Sequence, residues 1–423
     1  MIIAFVANFP FADGEDVNNA RRNFHSADRN DFWGGFSSFF YSFISDNIVD
    51  SNILYALIYL ILIALGSFGI HSFLQINQEI YTRLRKSLLL FLTLITSMFA
   101  LQFSRDGTLL AFIWASLGLF LWGYSKKLRI VWLPLSVVLF VMGMSFRPWL
   151  GLVTIPLSTF ILARLDKFKK ITLRNIAATI FAVLALILAP IVGDRAVVKA
   201  LDMSPAYPQQ QVMILDASSL ACLSANSSTI EKSLDVLGTI SNLENLSLEN
   251  LCASFYPQNW ASVVFYQKSN AQKQNPIRLI NPSEQQVYET FSRGWLDLIF
   301  KYPKDYVQTK LMLSSQLLLA GESRKNENDI LNALLVKPLN IFRDLRIFSV
   351  LPFSLLLFFF TSLRRESKSK IETLSITFFY FVGIFSVAIA FVGDNQRYMI
   401  PTCLITSLLL IIQHDKCKDK RGA

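Results

Sequence analysis

A chain of 423 residues in which 53% are apolar, 36 are phenylalanine and the mean hydropathy is +0.42 cannot have water as the solvent for most of its length. A formal charge of +10 would suggest nucleic acid in a soluble protein, but here the lysines and arginines fall in short clusters between apolar runs, as topology signals do. Nucleic acid is therefore set aside as a partner. The three histidines are scattered and the four cysteines form no CxxC, so neither a zinc site nor a Cys/His nucleophile is indicated.

The chain opens on an apolar stub, MIIAFVANF, too short to cross about 30 Å of hydrocarbon as a helix. A partial first span, or a stub dipping into the outer leaflet, fits better than a cleaved signal peptide. There is no basic n-region and no small-residue cleavage site. Three carboxylates follow at once, Asp13, Glu15 and Asp16, and then Arg21 and Arg22. Residues 32–44, FWGGFSSFFYSFI, are aromatic but short and rich in Gly and Ser, which suits an element in the membrane interface.

Apolar runs of spanning length then come at 52–74, 87–103, 107–125, 129–146, 148–164, 175–193, 344–362, 373–393 and 397–413. Their connections alternate in character. TRLRK (82–86), SKKLR (125–129), ARLDKFKK (163–170), LRRESKSK (363–370) and KCKDKR (416–421) are dense in lysine and arginine. SRDG (104–107), SFRPW (145–149), the segment 194–343 and GDNQR (393–397) are not. The positive-inside rule assigns the first set to the cytoplasm.

The expected fold is thus all-α: a polytopic transmembrane bundle of about nine or ten spans with a mostly helical extracytoplasmic domain. It divides into an extracytoplasmic N-terminal region with interfacial helices (1–51), six spans (52–193), the extracytoplasmic domain (194–343), three spans (344–415) and a basic cytoplasmic tail (416–423). Within 194–343, turn residues stand near 205–211, a polar helix-like stretch covers 228–251, and an amphipathic run covers 292–313. Cys222 and Cys252 share this segment, and either a disulfide or two buried thiols is consistent with them. NSS at 226 and NLS at 245 fit the glycosylation sequon at a frequency close to chance. No repeat of fixed period, Walker loop or GxGxxG occurs.

Ionisable groups at the ends of spans are better functional candidates than those in wet loops, because charge beside the membrane core is costly. Four groups stand there on the outer side. Asp13, Glu15 and Asp16 can supply a general base or hold a divalent cation; the alternative is an N-cap for a helix starting near Val17. Arg105 and Asp106 occupy a tight turn, where Arg can grip a phosphate and Asp can pair with it or hold a metal; the alternative is a mutual ion pair that caps a helix. Arg147, outward between two spans, runs against the positive-inside bias and suggests an anion; a snorkelling arginine is the alternative. Arg397 can hydrogen-bond two phosphate oxygens in a fork, with Tyr398 donating to a third or to a sugar; the alternative is an aromatic-belt residue beside a helix stop.

An acidic cluster directly after the first membrane element, Arg105-Asp106 at a later outer turn, an outward Arg147 and a closing Arg397-Tyr398-x-x-Pro401 resemble the GT-C superfamily of polyprenyl-phosphate-sugar-dependent glycosyltransferases. That group includes protein O-mannosyltransferases and the lipid A aminoarabinose transferases. The resemblance implies an inner-membrane enzyme whose active site faces the extracytoplasmic side and transfers a sugar with inversion. Asp13 or Asp16 would take the proton from an acceptor hydroxyl of a glycan, lipid or protein, while Arg105, Arg147 or Arg397 stabilises the departing polyprenyl phosphate. Some members of the superfamily also bind a divalent metal through acidic residues. The chain departs from the pattern in its stunted first helix. Two other readings stand beside this one: a Wzy-type polysaccharide polymerase, which uses outward arginines on the same carrier, and a lipid or solute transporter. The scarcity of charge in mid-span and the lack of an inverted repeat speak against transport.

Overall fold

A computed structural model describes residues 15–26, 29–31, 34–47, 51–76, 83–101, 104–125, 129–147, 173–207, 209–243, 246–255, 263–264, 276–281, 283–319 and 404–409. Among these residues the structure is all-helical, with only two isolated β-bridges and no strand. The helices are α1 (Glu15–His25), α2 (Gly35–Asn47), α3 (Ser51–Ile76), α4 (Arg83–Ala100), α5 (Arg105–Ser125), α6 (Arg129–Ser145), α7 (Leu173–Ala200), α8 (Gln210–Leu223), α9 (Ser227–Gly238), α10 (Leu248–Ser254), α11 (Gln285–Lys301) and α12 (Pro303–Leu319). One apolar core joins α1 to α6 with the helical stretch 404–409; a second lies among α8 to α12.

The first core is built around α5. Its sequence, RDGTLLAFIWASLGLFLWGYS, is apolar on every side, and a helix of that kind must be covered all round. Trp114, Leu110, Ala111 and Ala115 are fully buried. Ser104 caps its start: Gly107 N donates to Ser104 Oγ at 3.0 Å, and Ser104 O accepts from the amide and hydroxyl of Thr108.

Against α5, α3 approaches to backbone contact. A methyl group on Gly118 would stand 2.1 Å from Gly66 O, and one on Gly69 would stand 2.3 Å from Gly118 O, so glycine is what lets the helices close. Polar side chains add to this contact. Trp114 Nε1 donates to Ser67 Oγ at 3.0 Å, and Ser67 also meets Thr93 Oγ1 on α4. On the other flank Ser116 Oγ donates to Ser136 O and Ser136 Oγ donates to Ser116 O, at 2.8 and 2.9 Å, a reciprocal clasp between α5 and α6. Ser136 stands just past Pro134, within the helix.

Two helices, Ile53–Gln75 and Arg105–Gly123, are long and apolar enough to cross a membrane; Lys86–Ser97 and Val131–Ser145 are apolar but shorter. The run expected at 87–103 is cut because α4 breaks at Ala100 to turn into α5, and its first turn carries Arg83, Arg85 and Lys86. The spans read at 148–164, 344–362 and 373–393 lie outside the described residues, as does 397–413 except for 404–409. Leu404, Ile405, Leu408 and Leu409 are buried in the α5-centred core. Ile61, Phe68, Val131, Val138, Phe181 and Val192 point outward, an exterior suited to lipid rather than water.

The N-terminal helices are integrated with this bundle. Val17 and Ala20 of α1 are buried, and α2 buries Ser37, Ser38, Tyr41 and Ser42 while holding Phe39 and Phe43 outward. The start of α2 rests on α7: Asp194 Oδ1 accepts from Phe36 N at 2.9 Å, and a methyl on Gly35 would stand 2.7 Å from Val198 Cγ2. Gly34, with φ +82°, makes the turn into α2. Just before it, Asn30 bridges Ser204 through Asp31 N to Ser204 O and Ser204 N to Arg29 O, and Ala206 N donates to Asp31 Oδ1 at 2.7 Å.

In the second core α8 is central and almost wholly buried. Gln210 substitutes for a backbone unit there: its Oε1 accepts from Ile280 N at 2.7 Å and its Nε2 donates to Ala206 O at 3.0 Å. Cys222 and Cys252 are bridged, tying α8 to α10 with Cα atoms 5.5 Å apart. The stretch expected at 228–251 divides at Gly238 into α9 and α10. The run expected at 292–313 breaks at Tyr302, where Pro303 opens α12 and bars the preceding residue from continuing α11. Asn226, first residue of a sequon triplet, is the N-cap of α9, its Oδ1 accepting from Ser228 N.

Candidate functional site

Of the residues singled out from sequence, Asp106 and Arg147 are joined. Arg147 Nε donates to Asp106 Oδ1 at 2.9 Å and Nη2 to Oδ2 at 3.0 Å, a bidentate pair in which the residues are 1% and 2% exposed. Asp106 thus binds the arginine at the end of α6, a partner that the sequence alternative, a pair with the neighbouring Arg105, did not include. Position explains the pairing: Asp106 lies in the first turn of α5, where the helix dipole favours a carboxylate, and the α5–α6 hairpin returns Arg147 to that level. Arg105 opens α5 and is partly buried.

Around this pair the packing is aromatic and hydroxylic. Phe146 meets Phe36, Phe40, Tyr41 and Phe112 with ring centroids 5.1 to 5.8 Å apart. Thr108 Oγ1 gives its proton to Ser104 O, and so accepts from Tyr41 OH at 2.8 Å and Tyr59 OH at 2.7 Å. Tyr55 OH donates to the carbonyl of Tyr41. Helices α2 and α3 are thereby fastened to the first turn of α5, two residues from Asp106.

Glu15 and Asp16 form the opening of α1, so they stand inside the helix rather than before it. α1 packs on α2 and puts Val17 and Ala20 into the core that holds Phe146. Asp13, Arg397 and Tyr398 lie outside the described residues. Among the described residues no three His, Cys, Asp or Glu side chains gather as a metal site.

A second buried charge, which the sequence reading passed over, sits in the α8 domain. Asp216 is 2% exposed; Lys310 Nζ stands 2.5 Å from Oδ1, while Tyr306 OH and Trp295 Nε1 donate to Oδ2 at 3.0 and 3.2 Å. Burial pushes the Asp216 carboxyl above its ordinary range, against the pull of Lys310 and the hydrogen bonds. A lone carboxylate in the apolar run QVMILDASSLACL was the available signal.

Chemically, Arg105 and Arg147 stand at the α5 end with the positive end of a helix dipole, and the bidentate bond to Asp106 fixes the orientation of the Arg147 guanidinium. No protein-family model matches this chain, and comparison with curated proteins and with solved structures finds no significant match.

Proposed function

We propose that this chain is a polytopic membrane glycosyltransferase of the GT-C type, moving a sugar from a polyprenyl-phosphate donor to an acceptor hydroxyl at the extracytoplasmic face. The observation that supports the reading is the meeting of two sequence-distant groups at one end of the bundle: Arg105 and Asp106 open α5, and Arg147 closes α6 onto Asp106. The Cys222–Cys252 bridge supports an oxidising, extracytoplasmic setting for the α8 domain.

In this reading Asp13 or Asp16 removes the acceptor proton as its oxygen attacks the anomeric carbon from the face opposite the phosphate. The bond from carbon to phosphate oxygen breaks, and the electron pair leaves with the polyprenyl phosphate. Arg105, with Arg397 and Tyr398, meets the charge that develops there. Arg147 acts through Asp106, fixing that carboxylate at the start of α5. A divalent cation remains a proposed addition at the acidic cluster.

The test is transfer from a lipid-linked sugar by the purified protein in lipid. Asp13→Asn and Asp16→Asn are expected to leave the amount of folded protein unchanged, one of them removing transfer; full transfer in both would overturn the assignment. Deletion in the host is expected to accumulate a single-sugar polyprenyl phosphate. Accumulation of unpolymerised repeat units would favour the polymerase reading instead.

A further inference from the structure

Helix α11 buries Phe291 and Leu298 in the second core and turns Leu296 and Phe300 outward, 43% and 79% exposed. Glu289, Arg293, Leu296 and Phe300 follow one another at helical spacing and form a single outward stripe, bordered by Asp297 and Lys301, both exposed. An aromatic side chain left in water among charges marks a contact surface when its neighbours form a patch with it.

The charges of the stripe alternate in sign every four residues: Glu289, Arg293, Asp297, Lys301. Part of this is satisfied within the helix, since Arg293 Nη2 stands 3.6 Å from a Glu289 oxygen. With those side chains 79% and 47% exposed, that pair contributes little, and it does not account for Phe300. The alternation has a second property. Its sign reverses about residue 295, so two copies of the helix laid antiparallel at that level bring Arg293 against Asp297, a contact made twice, with Glu289 of one copy at the level of Lys301 of the other. A parallel arrangement sets like charge against like. Leu296 falls beside the two-fold axis, and Phe300 of each copy lies over the other's turn from Thr290 to Arg293.

We propose that the outward face of α11 is a self-complementary dimer interface at which two copies of this chain pair antiparallel about residue 295. Such pairing is isologous and closes on itself. Two chains in one membrane share a two-fold axis along its normal, so the pairing also lays α11 along the membrane surface. The proposal does not depend on the glycosyl-transfer reading.

The test uses the full chain in lipid nanodiscs, with Cys403 and Cys417 replaced by serine. Under mild oxidation Leu296→Cys is expected to cross-link into a covalent dimer and Lys232→Cys, on α9, is not. Arg293→Glu opposes like charges twice and is expected to weaken association roughly tenfold or more. Arg293→Glu combined with Asp297→Arg restores opposite signs and is expected to restore the dimer; melting temperatures establish that each variant is folded. A wild-type chain that is monomeric at every concentration overturns the proposal. So does a dimer indifferent to Arg293→Glu, a double variant that stays dissociated, or capture of α11 by a different protein.

Discussion

Arg147 spends its Nε and Nη2 on the two carboxylate oxygens of Asp106, across 41 residues of sequence, and so pins the end of α6 to the start of α5. Removing one partner leaves the other charged and buried, at a cost of about 3 to 5 kcal/mol. Asp106→Asn and Arg147→Met are each expected to lower the stability of the solubilised protein by that order. The double replacement is expected to cost less than the sum of the two. Denaturant unfolding of the four proteins measures the coupling, and simple additivity would mean the pair does not act as a unit.

The α3–α5 crossing makes a prediction with an internal control. Gly118→Val places side-chain atoms on the backbone of Gly66, where neither helix has room to yield. Loss of the folded protein, or a melting temperature lower by many degrees, is the expected result. Gly193→Ala, at a position with nothing within 4 Å of the added methyl, is expected to be neutral or to gain up to about 1 kcal/mol from helix propensity.

The Cys222–Cys252 bridge closes a loop of 30 residues. By the chain-entropy relation it contributes roughly 3 to 4 kcal/mol to the α8 domain. Neither thiol is expected to react with an alkylating agent before reduction. The Cys222→Ala/Cys252→Ala chain should unfold in that domain at lower denaturant, which tryptophan fluorescence of Trp295 reports. Alkylation of both thiols in the unreduced protein would refute the bridge.

Asp216 gives a pH dependence of defined sign. Its native carboxyl is raised by burial above the unfolded value of about 3.9, so the native state holds the proton more tightly than the unfolded chain. Its contribution is fully present below the unfolded value and is lost as pH climbs through the raised native value. Lys310→Met removes the counter-charge and is expected to steepen this loss; Asp216→Asn is expected to abolish it. Unfolding free energies from pH 4 to 8 decide the matter, and an unchanged slope in Asp216→Asn would assign the effect elsewhere.

Local sequence made the bundle readable wherever a single helix's composition decides. Runs 52–74 and 107–125 lie within α3 and α5, because an unbroken apolar helix of spanning length has few other structures open to it. Breaks were harder. Tyr302 and Gly238 interrupt segments whose polar and apolar periodicity continues on both sides, so the pattern does not mark them. The candidate site was legible as separate residues only. That Asp106 answers to Arg147 follows from the α5–α6 hairpin bringing residue 147 level with residue 106, information that no local spacing holds. Tyr41 and Tyr59 escaped notice for the same reason: their common acceptor, Thr108, is 67 and 49 residues away.

The stitches between the N-terminal region and α7 bear on how the chain is made. Asp194 caps α2 from 158 residues downstream, and Asp31 receives the amide of Ala206 from 175 residues downstream. Synthesised before their partners, α1 and α2 have no finished place to dock until α7 and the turn beyond it have been made and positioned. Throughout that interval the apolar faces of α1 and α2 lack their final cover, and the outward rings of Phe39 and Phe43 add to the exposed apolar surface. Chaperone dependence in biogenesis is therefore to be sought in α1 and α2, and a synthesis arrest before Ala206 should leave these helices open to protease while a later arrest protects them.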